Sequence, residues 1–403
     1  MMINSRDLTC NIANTIDTFE ISWGSDLYVD MIQPVMLSMS CLGWTASYGV
    51  MQAVGQTVSV QWQGWNLLTG TIRGISVEDQ GNGVYVYNID ASSPWEAIGM
   101  KNLGGNGYPA QTDANRIDQL LAESGAYSWD DIDPNVIWST MTTNWYSQTW
   151  TSWATSVDRI IGFTTGTTTY DFVVYEDGSQ SALGLLDSTS ADCRGRFYSP
   201  WSSGYLYWKS YQDVVTLLGT PTFTINAATD IIDGTLEASG TVADIYNVVN
   251  LTAPDETVTG VADSASIDLF GIRPLDIQTQ LEAADRLGVA TNILQTAAQI
   301  RSNLTGFRIA TANWDFTKGQ NFLINCISAS VGAATITNLP SAFGGPQNIL
   351  ITGGTMIYSQ SDTIFDIKCQ TANEIAAVQM WQNVDVSYTW ATYLPNNIWS
   401  EAS

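Results

Sequence analysis

The residue types that carry most enzyme chemistry are absent from this chain or scattered along it. None of its 403 residues is histidine. That removes the commonest general base, the commonest metal ligand and the usual charge switch near neutrality. Ser-His-Asp and Cys-His catalysis are therefore excluded. The cysteines stand far apart, at 10, 41, 193, 326 and 369, with no CxxC. They argue against a zinc site and read as buried free thiols made in a reducing cytoplasm. The 39 acidic residues leave a paired-carboxylate hydrolase formally open, but no spacing marks a pair, so no catalytic residue is assigned.

Two cofactor-like motifs fail on inspection. Asp131-Ile-Asp133-Pro-Asn135 imitates the start of a calcium loop, yet Val136 stands where glycine is needed and Thr142 where glutamate is needed. Gly105-Asn-Gly107-Tyr-Pro-Ala110 fits a dinucleotide fingerprint, but no clear strand precedes it and no βα alternation surrounds it. Asn250-Leu-Thr252 and Asn303-Leu-Thr305 match a glycosylation acceptor, which means nothing without a secretory signal. No metal or cofactor is expected.

Binding chemistry has one conspicuous candidate. Trp129, Trp138, Trp145, Trp150 and Trp153 stand among Ser, Thr and Asn. Tryptophan offers flat, rigid, amphipathic area, so Trp138, Trp145, Trp150 and Trp153 are candidate contacts to a protein partner or a glycan. Core aromatics between strands are the simpler alternative. An interface or core role is preferred to sugar binding.

The elements that must position such residues read as mainly β. Short runs rich in Val, Thr, Tyr and Trp recur along the chain. Strands are expected at Phe19–Trp23, Leu27–Met31, Val35–Cys41 and, by clean alternation, Val58–Trp62. Gln80-Gly-Asn-Gly83 predicts a hairpin between Leu67–Val77 and Val84–Asp90. Thr112 caps a helix with Ile117, Leu120 and Leu121 on one face. From 170 to 218 β character resumes, including Leu183–Asp187. Further strands are expected at Phe307–Ala312, Phe322–Ser330, Ala334–Ile336, Ile349–Gly354 and Ile364–Cys369.

The net charge is −25. A chain this acidic repels nucleic acid, so sequence-specific DNA or RNA binding is not expected. The charge suits either plain solubility or a conduit through which DNA slides without sticking. The N-terminus shows no apolar signal-peptide core, and no apolar run reaches the roughly 18 residues of a membrane span.

One stretch organises the rest. Ile245–Ala253 and Thr257–Ala262 read as strands around a Pro254-Asp-Glu256 turn. Ser266-Ile-Asp-Leu-Phe270-Gly271-Ile-Arg273-Pro274 follows, with Gly271 reversing the backbone. Pro274 then opens a helix that carries Ile277, Leu281, Ala284 and Leu287 on one face and is kinked or split at Gly288. This arrangement, with Tyr246 and Asn247 in the first strand and Ser266, Gly271 and Arg273 ahead of the helix, resembles the minor tail proteins of long-tailed phages infecting actinobacteria. More broadly it is similar to the tail-hub family at the tip of the phage tail. Arg116-Ile117-Asp-Gln-Leu120-Leu121 matches the segment that follows the first barrel in that family.

The resemblance implies a structural virion protein, not an enzyme, with two small tail-hub-like β-barrels at the chain ends and mixed α+β domains between. On that basis 1–98 is an N-terminal barrel, 99–218 a helix with a Trp-rich and β hub domain, 219–304 an acidic hairpin with a long helix, and 305–403 a C-terminal barrel. The acidic part has 11 acids against one arginine from Thr229 to Asp285. The implied assembly is a homotrimeric ring that closes the tail tube, contacts distal-tail, tape-measure and other tail-tip proteins, and meets DNA only in transit. The implied place is the distal end of the virion tail, after synthesis in the host cytoplasm. A weak internal repeat fits two barrels: Leu67-Leu68-Thr69-Gly70 ahead of one hairpin and Leu350-Ile351-Thr352-Gly353 ahead of another. Three chains with two barrels each would meet a six-fold tube. A hexameric distal tail ring and a carbohydrate-binding tail adhesin are the alternatives.

Overall fold

The computed structural model describes residues 2–5, 8–11, 16–43, 53–62, 65–105, 107–124, 168–176, 178–201, 206–240, 245–298, 303–328, 332–343, 345–359 and 362–375. The protein is mainly β. Strands β1 (Met2–Ser5), β2 (Leu8–Asn11), β3 (Ile16–Gly24), β4 (Gln33–Gly43), β5 (Thr57–Trp62), β6 (Trp65–Gly81) and β7 (Val84–Ser92) come first. Asn82 and Gly83 both have positive φ, which gives the β6–β7 hairpin a mirror-image turn matched to strand twist. Leu27–Met31, expected as a strand, is a turn instead. The Asp30 carboxylate accepts from the Leu27 N–H at 3.2 Å, a local bond that competes with a ladder.

The middle of the chain begins with two-residue strands: β8 (Asn102–Leu103), β9 (Gly107–Tyr108), β10 (Gln111–Thr112), β11 (Thr169–Tyr170), β12 (Val173–Val174) and β13 (Gln180–Ser181). Helix α1 (Asp113–Glu123) buries Ile117, Leu120 and Leu121 as expected. Helix α2 (Ala182–Cys193) replaces the strand expected at Leu183–Asp187. Its buried residues Ala182, Leu185, Leu186, Thr189 and Cys193 recur at helical spacing, and Ser181 caps it by accepting from the Gly184 N–H. A hairpin of β14 (Arg196–Tyr198) and β15 (Tyr207–Lys209) follows, then α3 (Tyr211–Gly219).

After β16 (Phe223–Asn226) and β17 (Glu237–Ser239) comes the acidic unit: β18 (Val248–Thr252), β19 (Val258–Ala262), α4 (Ser264–Phe270), β20 (Pro274–Gln278) and α5 (Ala283–Ala297). The hairpin falls where its turn signal puts it. The helix expected from Pro274 does not. Pro274 starts a strand that runs parallel to β18, from Val248↔Pro274 to Thr252↔Gln278. The alternation of Leu275 and Ile277 with Asp276 and Gln278 carries that strand, and proline disfavours helix at Arg273. Helix α5 begins nine residues later and passes through Gly288 unbroken. It packs Ala290 and Leu294 on Val249 and Leu251, while Leu287 faces solvent.

Strand β21 (Asn303–Ala310) leads to α6 (Phe316–Phe322), which runs on as a π-helical turn through Leu323–Ser328. This replaces the strand expected at Phe322–Ser330. Phe322, Leu323, Cys326 and Ile327 are buried at helical spacing, not alternately. The chain closes with β22 (Ala333–Thr337), β23 (Gln347–Ser359), β24 (Thr363–Thr371) and the helical turn α7 (Ala372–Ile375).

Thirteen of these strands form one sheet. Its path splits into two runs with the same order. The first is β3-β4-β7-β6-β5-β1 and the second is β17-β21-β24-β23-β22-β16. Each contains its six strands in the same relative chain order. Every neighbouring pair is antiparallel except β16 with β22, which is parallel. The internal repeat is thus present in topology, but not in the register read from sequence. A bulge separates Ile72 from Gly74 in β6 and Ile351 from Gly353 in β23, so Thr71-Ile-Arg-Gly74 matches Leu350-Ile-Thr-Gly353. The alignment through Leu67–Gly70 is four residues out.

The two runs are joined. Strand β3 pairs with β23 from Gly353↔Gly24 to Ser359↔Thr18, and one core holds Ile21, Leu37 and Ile89 together with Phe307, Ile336 and Met356. The end regions are not separate bodies. Among the described residues the sheet is open and neither run closes into a barrel.

Candidate functional site

Asn247 is the best-defined polar centre of the acidic unit. Its side chain is fully buried, which for an amide is tolerable only when its hydrogen bonds are made. Its Nδ2 donates to the Gly271 carbonyl at 2.7 Å, and its Oδ1 accepts from the Arg273 N–H at 2.7 Å. Ser266 lies against it, 3.4 Å from Nδ2, and donates its hydroxyl to the Ala298 carbonyl at 2.7 Å. The Tyr246 N–H donates to the Ala297 carbonyl at 3.0 Å. Gly271 has φ +75°, the conformation that lets the chain leave α4 and turn into β20. Tyr246, Asn247, Ser266, Gly271 and Arg273 therefore meet at one knot that fixes β18, α4, β20 and the end of α5 to one another. Beside it Leu269 and Ile272 stand 76% and 72% exposed, the most exposed large apolar side chains of the acidic unit.

Four arginines, Arg116, Arg194, Arg196 and Arg286, are buried. Arg196 is buried and donates to the carbonyls of Leu27, Tyr28 and Thr352, at 3.0, 2.7 and 2.7 Å. Burial lowers its pKa to about 10, so the guanidinium stays charged at neutral pH. Arg194 closes α2 in a left-handed conformation, donates to the Ile375 carbonyl at 2.9 Å and lies over the Tyr211 ring; the Tyr28 hydroxyl donates to its carbonyl. These two arginines tie the β14–β15 hairpin to both halves of the large sheet. Sequence reading passed over them; the signal available was two bases, Arg194-Gly-Arg196, in a chain with only 14.

A second set joins the segments around α1 and α2 to the acidic unit. Arg116 sits between the Tyr108 and Tyr170 rings and donates to the carbonyls of Pro109 and Asp171, both at 3.0 Å. Arg286 reaches the Asp171 carboxylate at 3.2 Å, the Thr257 hydroxyl at 2.9 Å and the Leu281 carbonyl at 2.7 Å. Asp192, near the end of α2, accepts from the Gln280 N–H at 3.2 Å. Burial pushes its carboxyl up to about 7.

The other candidate residues fall elsewhere. Trp138, Trp145, Trp150 and Trp153 lie outside the described residues, as does the calcium-like stretch at Asp131. Gly105 and Gly107 belong to the β8–β9 turn region; Gly107–Tyr108 pairs with Val173–Val174, and helix α1 does not begin until Asp113. Among the described residues no group of three or more Cys, Asp or Glu could hold a metal ion, and no helix is long and apolar enough to cross a membrane. The cysteines at 41, 193, 326 and 369 are all buried.

Comparison with solved structures places the fold. The chain superposes on the tail protein from Neisseria meningitidis MC58 with a TM-score of 0.57 at 10% identity, covering 90% of this chain and 95% of that one. It superposes equally well on the 43 kDa tail protein of prophage MuSo2 from Shewanella oneidensis, with a TM-score of 0.57 at 10% identity over 89% and 95% of the two chains. The fold is therefore that of phage tail proteins, along nearly the whole chain. No protein-family model matches the sequence, and no curated protein does.

Proposed function

We propose that this chain is a hub-like minor tail protein of a long-tailed phage. Three copies form a ring at the tail tip that closes the tube, anchors neighbouring tail-tip proteins and opens for the tape-measure protein and DNA. The observation that carries this reading is the repeated six-strand order on a tail-protein fold. Two like units per chain give three chains six like units, which answers a six-fold tube. On this reading each open run completes a small barrel only in the ring, and the four-part division at 98, 218 and 304 describes its functional parts. The motif around Asn247 is what points to an actinobacterial host.

The net charge of −25 fits the passage role, since an acidic wall does not hold DNA. Leu269 and Ile272 offer an apolar contact to a neighbouring tail protein. The hexameric distal ring fits less well, because six copies of a duplicated chain would present twelve like units.

Light scattering on the purified chain, with negative-stain images of the same fractions, tests the proposal. Three-fold rings of three chain masses are expected. Six-fold rings would transfer the chain to the distal-ring role.

A further inference from the structure

The repeat leaves one strand edge unmatched. Strand β23 pairs with β24 on one side. Its other side is divided: β22 covers the first part, from Gln347↔Ile336 to Leu350↔Ala333, and β3 covers the second, from Gly353 to Ser359. Strand β6 is built the same way. It pairs with β7 on one side, and on the other β5 covers the first part, ending at Thr71↔Thr57. Beyond the bulge, from Gly74 to Gln80, that side has no strand partner among the described residues. Gly74 faces Asp90 as Gly353 faces Lys368, so the uncovered stretch is the counterpart of the one β3 occupies.

The counterpart of β3 is β17. Glu20 of β3 faces Ser38, which faces Asp90; Glu237 of β17 faces Gly306, which faces Lys368. Strand β17 is paired only to β21 among the described residues, and Glu237, Ala238 and Ser239 are exposed on its outer side. The chain thus holds one joint of the type β3·β23 and both halves of a second joint that its own fold leaves apart.

We propose that β17 of one copy adds antiparallel to the Gly74–Gln80 edge of β6 in a second copy of this chain. The proposal rests on the ring reading above and names the contact by which that ring closes. The inner joint passes from N-terminal half to C-terminal half within a chain, and the outer joint passes from C-terminal half to the N-terminal half of the next. The contact is heterologous, so it propagates in one direction around a ring. Backbone hydrogen bonds carry it, as in strand addition to an exposed sheet edge.

Register follows from the inner joint. Glu20 lies opposite Ile357, and Ile357 corresponds to Glu78, so Glu237 meets Glu78. Two carboxylates directly across an antiparallel pair repel. The same acids guard both edges against indiscriminate pairing while the copies are apart. Assembly is therefore self-limited by this one pair, and either single charge reversal relieves it.

Cysteine trapping tests the contact. Glu78→Cys and Glu237→Cys chains are prepared singly, mixed, allowed to assemble and treated with a mild oxidant. The mixture should give a covalent pair that neither variant gives alone. In parallel, Glu78→Lys and Glu237→Lys should each lower the apparent dissociation constant several-fold, and the double reversal should lose that gain. Rings by light scattering without cross-linking in the mixture would overturn the contact and leave the ring reading standing. Self-linking of Glu78→Cys alone would also overturn it, since that requires a two-fold contact. A chain that stays single at every concentration, with no cross-link, would overturn both.

Discussion

Asn247 and Arg273 bond to each other twice. The Arg273 N–H donates to the Asn247 side-chain oxygen at 2.7 Å, and the Asn247 N–H donates to the Arg273 carbonyl at 3.0 Å. One side chain thus replaces a missing rung at the start of the β18–β20 ladder and holds Gly271 as well. Asn247→Ala takes from the Gly271 carbonyl and the Arg273 N–H the partner that the buried Asn247 side chain supplies. It should destabilise the acidic unit by about 2–4 kcal/mol. Urea unfolding gives the magnitude, and limited proteolysis should show new cuts between 245 and 298 before the large sheet yields.

Gly24 and Gly353 test the join between the two sheet halves. A Cβ on Gly24 would lie 2.1 Å from the Thr352 carbonyl oxygen and 2.4 Å from the Gly353 Cα, and the backbone there has φ +79°. All the atoms it would meet are backbone, so nothing can swing away. Gly24→Ala should cost more than about 3 kcal/mol. Thermal unfolding that remained within a degree or two of wild type would show that the join is not load-carrying.

Asp192 makes stability depend on pH. Burial raises its folded carboxyl to about 7, against 3.8 when exposed. A carboxyl raised in the fold favours the native state fully below its unfolded value and loses that contribution as pH rises through the folded value. Wild-type stability should therefore fall between about pH 4 and 7 by an amount on the order of a few kcal/mol from this residue. Asp192→Asn keeps an acceptor for the Gln280 N–H and should flatten that part of the profile. An unchanged slope in chemical denaturation across this range would rule out the assignment.

Gly288 offers a gain. It is exposed in the middle of α5, and a Cβ there would meet nothing within 4 Å. Gly288→Ala should stabilise by about 0.5–1 kcal/mol by reducing the freedom of the unfolded chain. A loss of stability would mean that a partner approaches this face in the purified state.

Local chemistry was legible where a turn decided the structure. Asn82-Gly83 and Pro254-Asp255-Glu256 each placed a hairpin, and alternation placed β5. Apolar runs without a clear period were not decisive. Leu183–Asp187 and Phe322–Ile327 contain the residues of a buried strand, and only their packing partners on two sides make them helical. Pro274 permits both a helix start and a strand start, and the parallel edge of β18 chose the second. The knot residues were singled out from sequence by resemblance. The bonds between them depend on contacts 19 to 26 residues apart, which no local pattern encodes. Arg196 was missed for the same reason at greater range: its acceptors lie in Leu27, Tyr28 and Thr352.

The join between β3 and β23 also sets an order of events during synthesis. Thr18–Gly24 emerges early, but its partner Gly353–Ser359 follows roughly 330 residues later. At about 5–20 residues per second, β3 waits on the order of 20–60 s with one side bare. The N-terminal half must hold together during that delay through its own strands, β4 to β7, and the arrival of Gly353–Ser359 is what shuts it. A ribosome stalled before residue 350 would thus display a half-sheet with an open flank, the species most in need of a chaperone.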